Sequence, residues 1–416
     1  MGKKYKVKKD YGSGQRSSYY GFRRDFPDGS RKGRFRKSAS RTERGRKIGK
    51  IALMVLGFAA VVAIAFFITD FALTLSNKPA TTKPSQTDSG AGVQAADTQQ
   101  EPSKAPVVQQ KAAAAVWLPE KMLRSNSSLD SFLSNAKQIG ATAVVVDVKD
   151  TDGSILFPSD LDQVKTTGAA KNAYPDFSQA LKKIRDSGLS VMVRVQCFRD
   201  PLAARKLGEG SAVCYQRPGT LWLDNSADKG GKPWLNPYSE AARKYLTDLI
   251  GELAAMELDS ILLDSVQFPS GYALGESESG LSRNDILKNF VADAKKAAGD
   301  KNVILMQSGE GALGGAEEQY HGSLFDSGAD VYAPDLRLSG LKGSVSIGEE
   351  SFSPTKDPAG FLTAAGKQLK SAAGDAALMP LLDAGSNLSA QVEALKAAGI
   401  ESYIVYSAGG SYTAVK

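Results

Sequence analysis

Residues 261–269 read ILLDSVQFP, three aliphatic residues running into an aspartate before Phe268-Pro269 turns the chain. A short, continuous apolar run closed by a turn signal is the pattern of a strand buried on both faces. The carboxylate at its end then needs a partner or a chemical role, because an unpaired charge is strongly disfavoured away from water. The same pattern recurs as VVVDVKD at 144–150, VMVRVQC at 191–197 and LMPLLDAG at 378–385. In each, polar residues interrupt the apolar run near its C-terminal end.

Counting outward from these, strands are expected at 113–118, 143–149, 191–197, 260–266, 302–307, 330–333, 377–383 and 401–406. Between them lie amphipathic stretches, such as Leu129, Phe132, Leu133, Ala136 and Ile139 at helical spacing. A longer helix is expected through Ala242, Tyr245, Leu246, Leu249, Leu253 and Met256, with Asn236 as N-cap and Pro237 at its first position. Alternating strands and helices predict a parallel sheet with crossover helices, and eight strands suffice to close a (β/α)8 TIM-type barrel. Only ten residues follow the last strand, so the eighth helix is short or missing. An open, doubly wound sheet is the alternative.

The barrel pattern fills residues 111–416 alone. Residues 1–50 hold 18 Lys or Arg against Asp10, Asp25, Asp28 and Glu43, an excess of 14 in a chain whose net charge is +7. The remainder is therefore negative by 7, and the basic average says nothing of nucleic-acid binding by the folded part. With no apolar period, this tail is expected to be disordered and cytoplasmic, near anionic lipid headgroups. Residues 51–68, IALMVLGFAAVVAIAFFI, are uncharged and long enough to span a hydrocarbon core of about 30 Å. A transmembrane helix over 51–75 follows, with the basic side inside and the barrel outside. A cleaved signal peptide is the alternative, against which stand the 50-residue basic lead and the Phe66-Phe67-Ile68-Thr69-Asp70 ending. Residues 76–110, rich in Pro, Ser, Thr, Gln and Ala, read as a flexible linker whose ends lie roughly 30 Å apart on average.

The chemistry is expected where polar side chains end the strands, since that face of a barrel carries the working groups. Asp147 and Lys149 are two apart and expected on one face, as are Arg194 and Gln196. Asp147, Lys149, Arg194 and Asp264 read either as a salt-bridged structural layer or as a site in which Asp264 is the principal acid and the cations orient it or bind substrate. His321 is the sole histidine and falls in an expected helix, which argues against a Ser-His-Asp triad and a multi-histidine metal site. GEGALGG at 309–315 lacks the Gly-Lys-Ser/Thr ending of a P-loop and reads as a loop. Cys197 and Cys214 are either one disulfide or two buried thiols. No cofactor is implied. What remains well supplied is carboxylate chemistry, which glycosidic bond cleavage uses alone. Trp117, Trp222, Trp234, Tyr272, Tyr332 and Tyr406 stand at strand ends or in loops, where sugar rings stack or where they simply pack.

VVVDVKDTDG at 144–153, VRVQCFRDPLAA at 193–204, WLNPYS at 234–239 and LDSILLDSVQFPS at 258–270 together resemble a bacterial glycoside hydrolase domain family with an α-amylase-like barrel. YAPDLR at 332–337 and LMPLLDAG at 378–385 resemble its later blocks. The resemblance implies a barrel acting on a polysaccharide or cell-wall glycan, often attached to the cell envelope, with the acid of the fourth strand, here Asp264, as nucleophile. The family's acidic residue after the fifth strand has its nearest counterpart here in Glu310. From the strand-end pattern itself, Asp147 is a further candidate catalytic carboxylate, and Lys149, Arg194, Gln267, Trp117 and Asp383 are candidate substrate-binding residues. The family usually writes the fourth-strand block as FDYVRFP, where this chain has Ser265 and Gln267. A barrel that binds glycan without cleaving it, or a scaffold, is the alternative.

Overall fold

The structure, a computed structural model, describes residues 113–208, 210–213, 220–271, 280–341 and 343–412. The basic tail, the apolar segment 51–75, the linker 76–110, Cys214 and Tyr272 lie outside the described residues. Among the described residues, no helix is long and apolar enough to cross a membrane.

The first six strands are β1 (Ala114–Leu118), β2 (Ala143–Lys149), β3 (Ser190–Gln196), β4 (Ser260–Asp264), β5 (Asn302–Ser308) and β6 (Val331–Asp335). They pair in chain order, all parallel. A small antiparallel hairpin follows, β7 (Val345–Ile347) with β8 (Glu350–Phe352). The seventh barrel strand, expected as one run over 377–383, is two pieces, β9 (Ala377–Leu378) and β10 (Leu381–Asp383). Pro380 sits at the break, where its missing N–H cannot donate to the ladder. Leu378 pairs with Tyr332 of β6, and Leu381 pairs both with Asp335 and with Ile404 of β11 (Tyr403–Tyr406). Strand β11 pairs in turn with β1, so the sheet closes on itself and the open-sheet alternative falls.

Alternation sorts each strand's side chains into two layers. Ala115, Val145, Met192, Leu262, Ile304 and Ala333 fill the barrel interior, while Val116, Val144, Val193, Leu263 and Leu305 meet the surrounding helices. The helix Asn126–Gln138 buries Leu129, Phe132, Leu133 and Ala136 as its periodicity demands. The helix Glu240–Ala254 begins later than expected: Ser239 is its N-cap, its hydroxyl accepting from Ala242 N, and Asn236 instead accepts from Tyr238 N in the preceding turn. Glycines 309 and 311 do not make an open loop, because Gly309–Ala312 forms a helical turn capped by Ser308. A Cβ on Gly309 would meet the Asp335 carbonyl oxygen at 2.4 Å, so only glycine lets this turn lie against the end of β6. Among the described residues no helix follows β11; Tyr412 instead packs edge-on to Phe132 at 6.1 Å and donates its hydroxyl to the Trp117 carbonyl.

Candidate active site

The parallel register places Asp147 beside Arg194 and Gln196 beside Asp264 at the C-terminal mouth of the barrel. All four continue the inward-facing rows of β2, β3 and β4. They line a cleft of about 700 Å³ together with Trp117, Arg199, Trp234, Gln267, Asp335, Arg337 and Tyr406.

Arg194 is the centre of this arrangement. Its Nη1 donates to Asp147 Oδ1 at 2.8 Å and its Nε to Asp264 Oδ2 at 2.8 Å, while Nη2 reaches both Asp264 and Gln196 Oε1. Burial works against the charged guanidinium, but Asp264 and then Asp147 more than offset it and hold Arg194 above its ordinary pKa. Asp147 also accepts from Trp117 Nε1 at 3.0 Å, and Arg194 lies over the Trp117 ring at 5.3 Å. Asp264 Oδ1 accepts from the backbone N–H of Ser265. Ser265 adopts φ 53, the left-handed region that a serine enters only under constraint, and its Oγ accepts from Gln196 Nε2. Such local strain at a strand end is a feature of working sites.

Across the mouth, Arg337 chelates Asp335 through Nε at 2.9 Å and Nη2 at 2.7 Å and lies 4.7 Å above the Tyr406 ring. The Asp335 hydrogen bonds raise the Arg337 pKa against the opposing effect of burial. Asp335 and Arg337 were not singled out by sequence as site residues, although YAPDLR carries the same signal, a charged residue ending an apolar run. Among the described residues, the aromatic rings named from the sequence are not open platforms. Arginines lie over Trp117, Tyr406 and, at 5.7 Å, Trp234, while Trp222 and Tyr332 are core residues.

Lys149 is a correction. Two residues from Asp147, it was expected on the same face, but a bulge between the two shifts the register so that Lys149 pairs with outward-facing Val195. Its ammonium is fully buried behind the site, 2.8 Å from Asp200 Oδ2 and donating to the Gln196 carbonyl at 2.6 Å. It therefore braces β3 and does not meet the cleft, and the four-residue salt-bridged layer reduces to Asp147, Arg194 and Asp264. Gln267 does line the cleft, its Oε1 accepting from the Tyr320 hydroxyl at 2.8 Å. Asp383 serves the loop after β6, accepting from Ser339 N at 2.8 Å and Oγ at 2.7 Å. Glu310 is exposed in the first turn of Gly309–Ala312 and is not among the cleft residues. Cys197 is a free, buried thiol at the end of β3, pushed up to about 12 by burial. Among the described residues, no cluster of His, Cys, Asp and Glu could hold a metal ion.

Residues 115–308 match the model of a family described as a putative glycosyl hydrolase domain. The matched segment is similar to that family. It runs from β1 to the end of β5 and so includes Asp147, Arg194 and Asp264. No curated protein matches the chain. Among solved structures, a hypothetical protein from Ruminiclostridium thermocellum ATCC 27405 aligns over 46% of this chain and 96% of its own at 27% identity, with a TM-score of 0.41. The catalytic domain of β-amylase from Paenibacillus polymyxa aligns over 73% and 95% at 12% identity, with a TM-score of 0.43. The glycoside hydrolase domain of PelA from Pseudomonas aeruginosa aligns over 72% and 96% at 9% identity, with a TM-score of 0.38.

Proposed function

We propose that this protein is a carbohydrate-active barrel that hydrolyses glycosidic bonds, with Asp264 as the carboxylate that attacks the sugar. The observation that carries the reading is the setting of Asp264. It faces the cleft at the end of β4, with one oxygen bonded to Arg194 and the other to Ser265 N. These two contacts fix the carboxylate's orientation at the mouth, as a nucleophile or an electrostatic stabiliser requires. In a two-carboxylate mechanism a second group must protonate the leaving oxygen. Asp147 and Asp335 are the candidates that line the cleft, Glu310 lying outside it, and substrate choice separates them: a variant lacking the acid should keep activity on glycosides whose leaving group needs no proton.

A second reading, glycan binding without cleavage, is favoured by one observation. Asp147, Asp264 and Asp335 are each engaged by an arginine of the protein itself, an arrangement that also suits a cleft that only binds. Hydrolysis and binding assays on a panel of wall and capsular polysaccharides distinguish the two, since binding with no turnover in the parent chain removes the enzyme.

The same proposal includes location. The apolar run 51–68 beside a 14-charge basic excess supports a single-pass anchor with the tail in the cytoplasm, and the linker 76–110 would let the barrel search a wall or surface glycan.

A further inference from the structure

Three arginines line the cleft, and two of them are spent. Arg194 divides its donors among Asp264, Asp147 and Gln196, and Arg337 is chelated by Asp335. Arg199 differs. Its Nε is buried and makes no hydrogen bond. Its nearest carboxylate oxygen, Asp224 Oδ2, is 3.8 Å from Nη2, beyond hydrogen-bond reach. That carboxylate is already occupied, Oδ2 by Trp234 Nε1 at 3.1 Å and Oδ1 by Lys232 N at 2.8 Å. The Arg199 side chain is nonetheless 43% exposed, in the cleft and over the Trp234 ring.

Resting on the carbohydrate reading above, we propose that Arg199 and Trp234 form a subsite for an acidic sugar, a residue bearing a carboxylate such as a uronic acid. With Nε buried, the exposed end of the side chain carries Nη1 and Nη2, whose coplanar donors match a carboxylate through two parallel hydrogen bonds. The indole beneath it limits how far the side chain can swing. Charge selects the carboxylate over a phosphate monoester, and the planar two-oxygen edge of a carboxylate suits the fork better than a tetrahedral phosphodiester. The cleft is lined by Asp147, Asp150, Asp264 and Asp335 against three arginines. One added negative charge beside Arg199, whose ion pair with Asp224 is long at 3.8 Å, is tolerable there, whereas a dianion adds repulsion from the surrounding acids.

The test is titration calorimetry on the full-length chain in detergent micelles with alginate, pectate and hyaluronan oligosaccharides, each before and after reduction of its carboxyl groups. At least one acidic oligosaccharide should bind about 10- to 100-fold more tightly than its reduced form, the range expected of hydrogen bonds to a charged group. That preference should weaken as salt rises. In Arg199→Gln the preference should collapse towards one, and in Arg199→Lys, which keeps the charge without the fork, it should fall part of the way. A parent chain with no preference, or a preference unchanged in both variants, overturns the inference while leaving the carbohydrate reading standing. Tighter binding of a polyol-phosphate polymer overturns the choice of carboxylate. Failure of every oligosaccharide, acidic and reduced alike, overturns the carbohydrate reading together with this one.

Discussion

Replacing Asp264 with asparagine keeps the side-chain volume and removes the charge, and the structure fixes what that should do. Asp264 presents two acceptor edges, Oδ2 towards Arg194 Nε and Nη2, and Oδ1 towards Ser265 N. An amide can offer its carbonyl to only one of them, and its NH2 then faces a donor. If the carbonyl keeps Arg194, the Ser265 N–H loses its partner, at a cost of about 1–3 kcal/mol, and the bonds to arginine lose part of their charge assistance. The arginine is not stranded, because it retains Asp147 and Gln196. The full ~3–5 kcal/mol of a broken buried ion pair is therefore not expected. A loss of about 2–3 kcal/mol should lower the melting temperature by roughly 4–8 °C. Hydrolysis is a separate readout, and loss of the attacking carboxylate should lower it by about 10³-fold or more, or ~4 kcal/mol in transition-state stabilisation. Circular dichroism melts and a polysaccharide hydrolysis assay on this single variant measure both. Turnover within tenfold of the parent would refute the nucleophile, and an unchanged melting temperature would refute the Arg194 pairing as drawn.

Lys149→Met should be worse for stability than Asp264→Asn, by about 3–5 kcal/mol in urea unfolding, because it leaves the wholly buried Asp200 without its cation. Adding Asp200→Asn, which preserves the cap on Ala203 N, should recover much of that loss, and a strictly additive double variant would contradict the pair. Burial pushes the Cys197 thiol up to about 12 and also raises the phenols of Tyr245 and Tyr320. In the unfolded chain these groups lose protons from about pH 8.5 to 10, so the folded state binds more protons there and stability should fall as pH rises through that range. Unfolding titrations at pH 7, 9 and 10 that gave equal stabilities would contradict this. Protease added to intact cells should release a fragment beginning within 76–110 while residues 1–50 stay protected; cleavage of the tail from outside would reverse the proposed orientation.

The composition and spacing of the chain by themselves determined a great deal. Apolar runs ending in Asp147, Arg194 and Asp264 announced strands with charged ends, because a charge tolerated at the end of a buried strand must be paired or used. Regular alternation with amphipathic stretches was enough for a parallel sheet covered by crossover helices, since that pattern leaves few other ways to bury both sheet faces, but closure into a barrel rested on the β11–β1 pairing. What local pattern could not carry was register. Period two places Lys149 beside Asp147, and only pairing with β3 introduces the bulge that turns Lys149 behind the site. Nor does any run of residues say that Arg194 reaches Asp147 and Asp264 at once, or that Arg337 closes on Asp335 while Arg199 keeps donors to spare. Those facts depend on which strands become neighbours when β11 meets β1, and on distances of 3 Å between groups 47 and 70 residues apart in the chain. Strand character is local and is written in side-chain pattern; the partition of charge among partners is a property of the closed ring, and only the tertiary structure decided it.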